Sequence, residues 1–274
     1  MFKKLLLKWV IEINKSFKDA GSMGILVDSL DSFSHEFYGH VKTIMELVMM
    51  PIAWTVLSLF FVLELQKISL KVEGSGGGPN MGAELVFRAL VKLVMYKEIV
   101  GHTLLIMEGI YEVGVNAIRN ISAGMPPIGI GIAVNEIDIE RAINLMDLGD
   151  QIGFLLELMI VRFGITVILW FVKIICIGRF IELYVHIAIS PIPIATLPSE
   201  ELNGIAKNFF KSFAAVTFQG VVLYIVITMF PVLVNAGVLN TTTIDATALF
   251  MYSLMLALAV FSAGRWAKSF VSAM

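Results

Sequence analysis

Among 274 residues there is a single cysteine, Cys176. One thiol excludes an internal disulfide framework and leaves the redox compartment open. Charge is scarce too. Asp, Glu, Lys and Arg make up 15% of the chain against 58% hydrophobic residues, whereas a soluble domain carries about a quarter charged residues. The net charge of −2 supplies no bulk basic field for nucleic acid. There is no Gly-x-x-x-x-Gly-Lys-Ser/Thr phosphate loop, so the chain does not supply its own ATPase, and no Gly-x-Ser-x-Gly nucleophile elbow. No repeat of 20–50 residues is evident, which weakens an inverted-repeat transporter. What is abundant is apolar surface, too much for a soluble fold to hide. The expected class is all-α: a polytopic helical membrane protein with about five transmembrane helices plus amphipathic interfacial helices.

A hydrocarbon layer of about 30 Å requires about 20 mostly apolar helical residues. Leu47–Leu63, Phe213–Val234 and Ala246–Ala263 are uncharged and satisfy this directly. Ile152–Gly178 is strongly apolar but holds Glu157, Arg162 and Lys173, and Ile99–Ile118 holds His102, Glu108 and Glu112. Backbone groups in lipid must bond internally, so these stretches are read as helices. The expected organisation is an amphipathic N-terminal region over 1–40 and a helical transmembrane domain over 41–274. Its spans lie near 44–65, 99–118, 152–178, 213–234 and 246–263.

At the N-terminus Phe2, Leu6, Trp9, Val10, Ile13 and Phe17 recur at helical spacing, with lysines around much of the remaining circumference. Lys8 interrupts the apolar run and no small-residue cleavage site follows, so this is not a cleavable signal. It reads as a helix lying in the membrane interface or packed on a partner subunit. With five spans, ten Lys and Arg residues fall near the span ends on one side and three on the other. The richer side is expected to be cytoplasmic. That predicts an N-terminus outside and a C-terminus inside. The five lysines at 3–18 run against this orientation, from beyond the distance where the rule is strong.

Between spans, Gly74–Asn80 reads as a flexible turn, followed by a helical stretch with Arg88, Lys92 and Lys97 on a basic edge. Pro126, Pro127, Gly129 and Gly131 mark an outer loop or short re-entrant segment, and Glu136 to Asp150 is acidic. No proline interrupts 152–190, so one helix of roughly 55 Å is possible, with Gly178 as a weak point. Ser190-Pro191-Ile192-Pro193 then ends it. On a helical wheel Arg162 and Lys173 fall within roughly 20° of each other. A cation at the midplane costs about 2.5–3.5 kcal/mol. These two therefore face a hydrated lumen or subunit interface, or Arg162 joins an intramembrane ion pair with Glu157, Glu108 or Glu112. Glu157, Arg162 and Lys173 are the channel or lumen candidates.

His35-Glu36-Phe37-Tyr38-Gly39-His40 suggests a zinc peptidase, but that motif needs histidines at i and i+4. At i and i+5 they stand about 140° apart on a helix and do not share a metal. No catalytic residue, metal site or cofactor is expected. His102, Glu108 and Glu112 share one helix over almost three turns and are read as lining a helix interface. The fifteen methionines are read as lipid or packing contacts.

The stretch Arg179-Phe-Ile-Glu-Leu-Tyr184-Val-His-Ile-Ala-Ile-Ser190-Pro191-Ile-Pro193-Ile-Ala-Thr196, followed by Lys207-Asn-Phe-Phe-Lys211 and Gln219-Gly220, resembles the TrbL/VirB-six family of type IV secretion membrane proteins, in the form found on Gram-positive conjugative elements. The resemblance is specific over about 150–225 and pattern-level over 40–120. It implies a long span leading into a cytoplasmic Ser-Pro-Ile-Pro loop, then a helix entering span four with Gln-Gly near its start. It also implies work beside separate ATPases and a coupling protein, with a transient single-stranded DNA–protein substrate, in a homo-oligomer embedded in membrane lipid. The residues singled out are Arg179, Ser190, Pro191, Pro193, Lys207 and Lys211 as cytoplasmic loop and basic rim, and Gln219 and Gly220 as polar positions in span four. The lysines serve equally as ordinary positive-inside residues. The function expected is to help form or gate the DNA/protein translocation channel. The competing readings are a small-solute or ion transporter using charged midplane residues, and a passive scaffold for other subunits.

Overall fold

The computed structural model describes residues 8, 12, 26, 28–75, 79–124, 148–199, 201–235 and 246–273. Among these the regular elements are helices and no strand occurs. The outer loop at 126–131, the acidic stretch that follows it, and most of the N-terminal amphipathic pattern lie outside the described residues.

The helices follow from local chemistry. Ser29 caps α1 (Leu30–Phe33), accepting from Ser32 N at 3.2 Å, and Ser34 caps α2 (His35–Ile44), accepting from Phe37 N at 3.4 Å. Each hydroxyl satisfies a backbone donor the first turn would leave orphaned. A π-helical turn, Met45–Met49, joins α2 to α3 (Met50–Ser75), with Met50 N bonding Met45 O. Pro51 follows immediately. It has no N–H and its ring crowds the carbonyl four residues back. A widened turn just before it accommodates that crowding without breaking the helix.

α4 (Pro79–Gly101) and α5 (Thr103–Gly124) follow. His102 N still bonds Glu98 O at 2.9 Å and Ile106 N bonds His102 O at 3.2 Å, so the junction is a kink more than a gap. This boundary falls inside the candidate span at 99–118. α6 (Leu148–Ile189) runs 42 residues without interruption, about 63 Å long. Gly178 does not break it. α7 (Pro191–Ile194) is one turn with Pro191 at its first position, where the missing N–H costs nothing. α8 (Asn203–Asn235) and α9 (Ala246–Ala273) complete the described chain.

Among the described residues, four helical runs are long and apolar enough to cross a membrane: His35–Gly74, Ile152–Ile189, Asn203–Phe230 and Phe250–Ser272. α5 has the length of a span but carries Glu108 and Glu112, and it is not among the four. The all-α polytopic reading stands.

The chain divides into two compact units. The first comprises Met1–Asp28, Gly114–Arg179 and Phe218–Ser269. Its core is aliphatic, with Leu158, Ile165, Cys176, Leu223 and Val260 among its buried members, and Leu26 is fully enclosed in it. The second comprises Ser29–Val113, Phe180–Thr217 and Phe270–Met274. There Ala53 and Leu57 of α3, Val100 of α4, and Ile194 and Ala195 form a small core.

Candidate functional site

Polar groups on the membrane helices are where function is expected, because each has to be paired, buried or hydrated. In the first unit Arg162 is about one-third exposed and pairs with Glu12 at 2.6 Å, and Lys8 stands 3.9 Å from Glu12. Glu12, in the N-terminal segment, is a partner the sequence did not suggest for Arg162. Thr166 Oγ1 also donates to Arg162 O at 2.9 Å. Glu157 and Lys173 are exposed.

Arg179 corrects an expectation. It is 3% exposed, buried in the helix packing, and so not a member of an exposed basic rim. Its guanidinium occupies the space a side chain at Gly220 of α8 would fill. Two residues singled out for separate reasons are thus brought into contact. The adjacent Gln219 lies against Gly264 of α9, its Nε2 3.2 Å from where a Cβ there would stand. Gly164 of α6 likewise leaves room for the Phe250 ring of α9.

In the second unit Lys207 and Lys211 are exposed. The Ser-Pro-Ile-Pro segment, expected as a cytoplasmic loop, is instead a tucked turn. Ser190 is fully buried and donates to Ile187 O at 2.7 Å. Pro191 is buried, and the Pro193 carbonyl accepts from Thr196 N at 3.1 Å and Thr196 Oγ1 at 2.7 Å. Ile194 and Ala195 seat this turn on α3 and α4. Beyond it a groove runs between Phe60, Glu64, Lys67 and Leu70 on one side and Pro198, Ser199, Glu201 and Leu202 on the other. It is bridged by Lys67 and Glu201 at 3.0 Å.

Two clusters in this unit escaped the sequence reading. Tyr184 is buried and donates to Leu30 O at 2.7 Å. Around it gather Phe33 (stacked on Phe180 at 4.0 Å), Phe37 and Tyr38. Tyr38 also donates to the Glu108 carboxylate in a short hydrogen bond, while Lys42 Nζ lies 3.8 Å from Glu108 and 4.4 Å above the Tyr38 ring. Glu108 does line a helix interface, as expected. Its partners come from α2, some 70 residues earlier, and no periodicity signals a pairing at that distance. Of the peptidase-like pair, His35 binds Asp31 at 2.8 Å. Among the described residues no three His, Cys, Asp or Glu side chains gather as a metal site requires.

These features define a polytopic helical membrane protein in which Arg162 is paired and Arg179 buried, while Lys173 stays exposed. A family profile described as TrbL/VirB6 plasmid conjugal transfer like protein matches residues 23–191. That is well over half of the chain, so the protein belongs to this family and is a multi-pass cell-membrane component of conjugal transfer and type IV secretion. The match begins within the N-terminal region and ends at Pro191. It takes in α1 to α6 and leaves Lys207, Lys211, Gln219 and Gly220 outside. No curated protein and no solved structure matches the chain.

Proposed function

We propose that this subunit helps to form or gate the channel through which DNA and protein pass during conjugal transfer. The reading rests on Lys173. It is exposed on α6, deep in a run of apolar residues and within roughly 20° of Arg162 on the wheel. Facing lipid, such a cation costs about 2.5–3.5 kcal/mol, and facing a hydrated lumen or a neighbouring subunit it costs far less. With Arg162 already held by Glu12, Lys173 is the stronger lumen residue of the three candidates. In this reading the protein assembles as a homo-oligomer beside transfer ATPases and a coupling protein, and the substrate is a single-stranded DNA–protein complex. Lys207 and Lys211, both exposed, provide its basic rim.

The orientation proposed is N-terminus outside and C-terminus inside, with five spans. The direction rests on the Lys and Arg excess near the span ends, and the number of spans draws support from the pair Lys67–Glu201. Two charged groups in contact outside the hydrocarbon lie on one side, so the chain crosses an even number of times between them. The Ile152–Ile189 run is one crossing. A second must lie between 67 and 152, and α5 is the described helix able to make it. The Tyr38 and Lys42 contacts to Glu108 reduce the cost of placing its carboxylate there.

The test is thiol accessibility. In a Cys176→Ser background, single cysteines replace Thr166, Trp170, Lys173 and Ile177. The reading expects a water-soluble thiol reagent to modify position 173 and to block transfer. Modification at 173 by lipid-soluble reagents alone would sink it. Cysteines at 67 and 201 are expected to be protected alike in intact cells; opposite protection would overturn the five-span topology, and labelling of both from outside would overturn the orientation.

A further inference from the structure

Gln219 and Gly220 are neighbours on α8, and each meets a different helix of the first unit. Gly220 is buried, and the Arg179 guanidinium of α6 fills the volume that a Cβ there would take. Gln219 extends over Gly264 of α9, where a Cβ would stand 3.2 Å from its Nε2 and 3.6 Å from its Cδ. Two long polar side chains are therefore seated in series in two glycine gaps, α6 into α8 and α8 into α9.

The physical reason for such a device is specific to lipid. Between helices in a bilayer there is no hydrophobic drive, so association comes from close packing and polar contact, and glycine lets backbones approach. Arg179 lies in a run apolar enough to cross the membrane, where a lipid-facing cation is costly. Burial against the neighbouring helix takes it out of lipid and makes its planar head a spacer of fixed width. We propose that Arg179–Gly220 and Gln219–Gly264 form a two-step polar clamp that sets the spacing of α6, α8 and α9. Arg179 then acts as a positioning residue and never as a cation offered to the substrate.

The native thiol reports on this clamp. Cys176, the sole cysteine, is 0% exposed and lies one helical turn before Arg179. Its alkylation by membrane-permeant N-ethylmaleimide, in the full-length protein in its membrane, measures opening of the packing without reference to transfer. Transfer frequency is the second readout and alone rests on the proposed function. Gly220→Ala displaces a buried guanidinium, and Cys176 alkylation is expected to rise about tenfold while transfer falls about tenfold. Adding Arg179→Leu shortens the buried side chain by about the volume the methyl adds, so the double variant keeps the spacing without the charge and is expected to regain both protection and transfer. Gly264→Ala needs the Gln219 amide to yield by only a few tenths of an ångström, and its effect on alkylation is expected to be about twofold.

Unchanged alkylation in Gly220→Ala overturns the clamp, as does a double variant no better protected than the single one. Restored protection with transfer still lost overturns the positioning role of Arg179 while leaving the clamp in place. Should Gly220→Ala vanish from the membrane, return of the protein in the double variant supports the clamp and continued loss overturns it.

Discussion

In the unit built from 1–28, 114–179 and 218–269, the helices meet through aliphatic side chains and glycine gaps. Gly164 receives the Phe250 ring, Gly220 the Arg179 head and Gly264 the Gln219 amide. In the unit built from 29–113, 180–217 and 270–274, contacts are aromatic and hydrogen-bonded. Tyr184 reaches Leu30 O, Tyr38 reaches Glu108, Ser190 closes its turn, and Lys67 meets Glu201. The first unit gains affinity from shape and is intolerant of added volume. The second gains it from directed polar bonds and is intolerant of losing a partner. The difference teaches where each kind of substitution does its damage.

Four variants probe that contrast, from the largest effect to the smallest. Gly164→Val drives a branched side chain into the Phe250 ring, and overpacking of this kind costs about 3 kcal/mol. Thermal unfolding of the purified protein in detergent is expected to show it, and a loss below about 0.5 kcal/mol would mean that α6 and α9 adjust freely. Arg162→Leu removes the nearer of the two cations at Glu12 and leaves Lys8 at 3.9 Å. Arg162 and Glu12 are both about one-third exposed, so solvent discounts the cost to about 1–2 kcal/mol. Transfer is expected to fall while membrane levels hold, and Glu12→Leu in the same chain is expected to recover most of the stability. Full transfer by Arg162→Leu would remove Arg162 from the functional set.

Tyr184→Phe keeps the ring in its aromatic cluster and deletes the hydroxyl that donates to Leu30 O and meets the Ser34 backbone. A net cost of about 1 kcal/mol follows, read as faster hydrogen exchange in α1 and α2. If Tyr184→Phe matched Gly164→Val in cost, the contrast between the units would fail. Lys67→Ala breaks a pair whose side chains are 55% and 77% exposed, and is expected to change stability by less than about 0.5 kcal/mol. A larger loss would show that the groove beside Pro198 depends on that pair.

Much of this protein is legible in its residues. The uninterrupted run from 152 to 189 reads as one long helix because nothing in it lacks a backbone donor, and Pro191 stops it for the converse reason. The apolar runs at 47–63, 213–234 and 246–263 read as membrane helices because lipid offers backbone groups no other partners. The Ser-Pro-Ile-Pro stretch was enough to point to the family. Its burial was not legible, since a Pro-rich turn has the same composition whether tucked or free. Arg179 shows the same limit. Beside Lys207 and Lys211 it reads as one more positive-inside residue, and only the glycine on another helix reveals that it is packed away.

The sequence by itself therefore determined the solvent, the helices and the family. Those follow from composition, local backbone chemistry and contiguous motifs, all of which act within a few turns of chain. Tertiary structure alone brought Glu12 to Arg162, Tyr38 and Lys42 to Glu108, and the gap at Gly220 to Arg179. Pairings across 40 to 150 residues leave no periodic trace. In lipid they nevertheless govern whether a charged helix is tolerated, because an ion there must find its counterpart or pay for its burial.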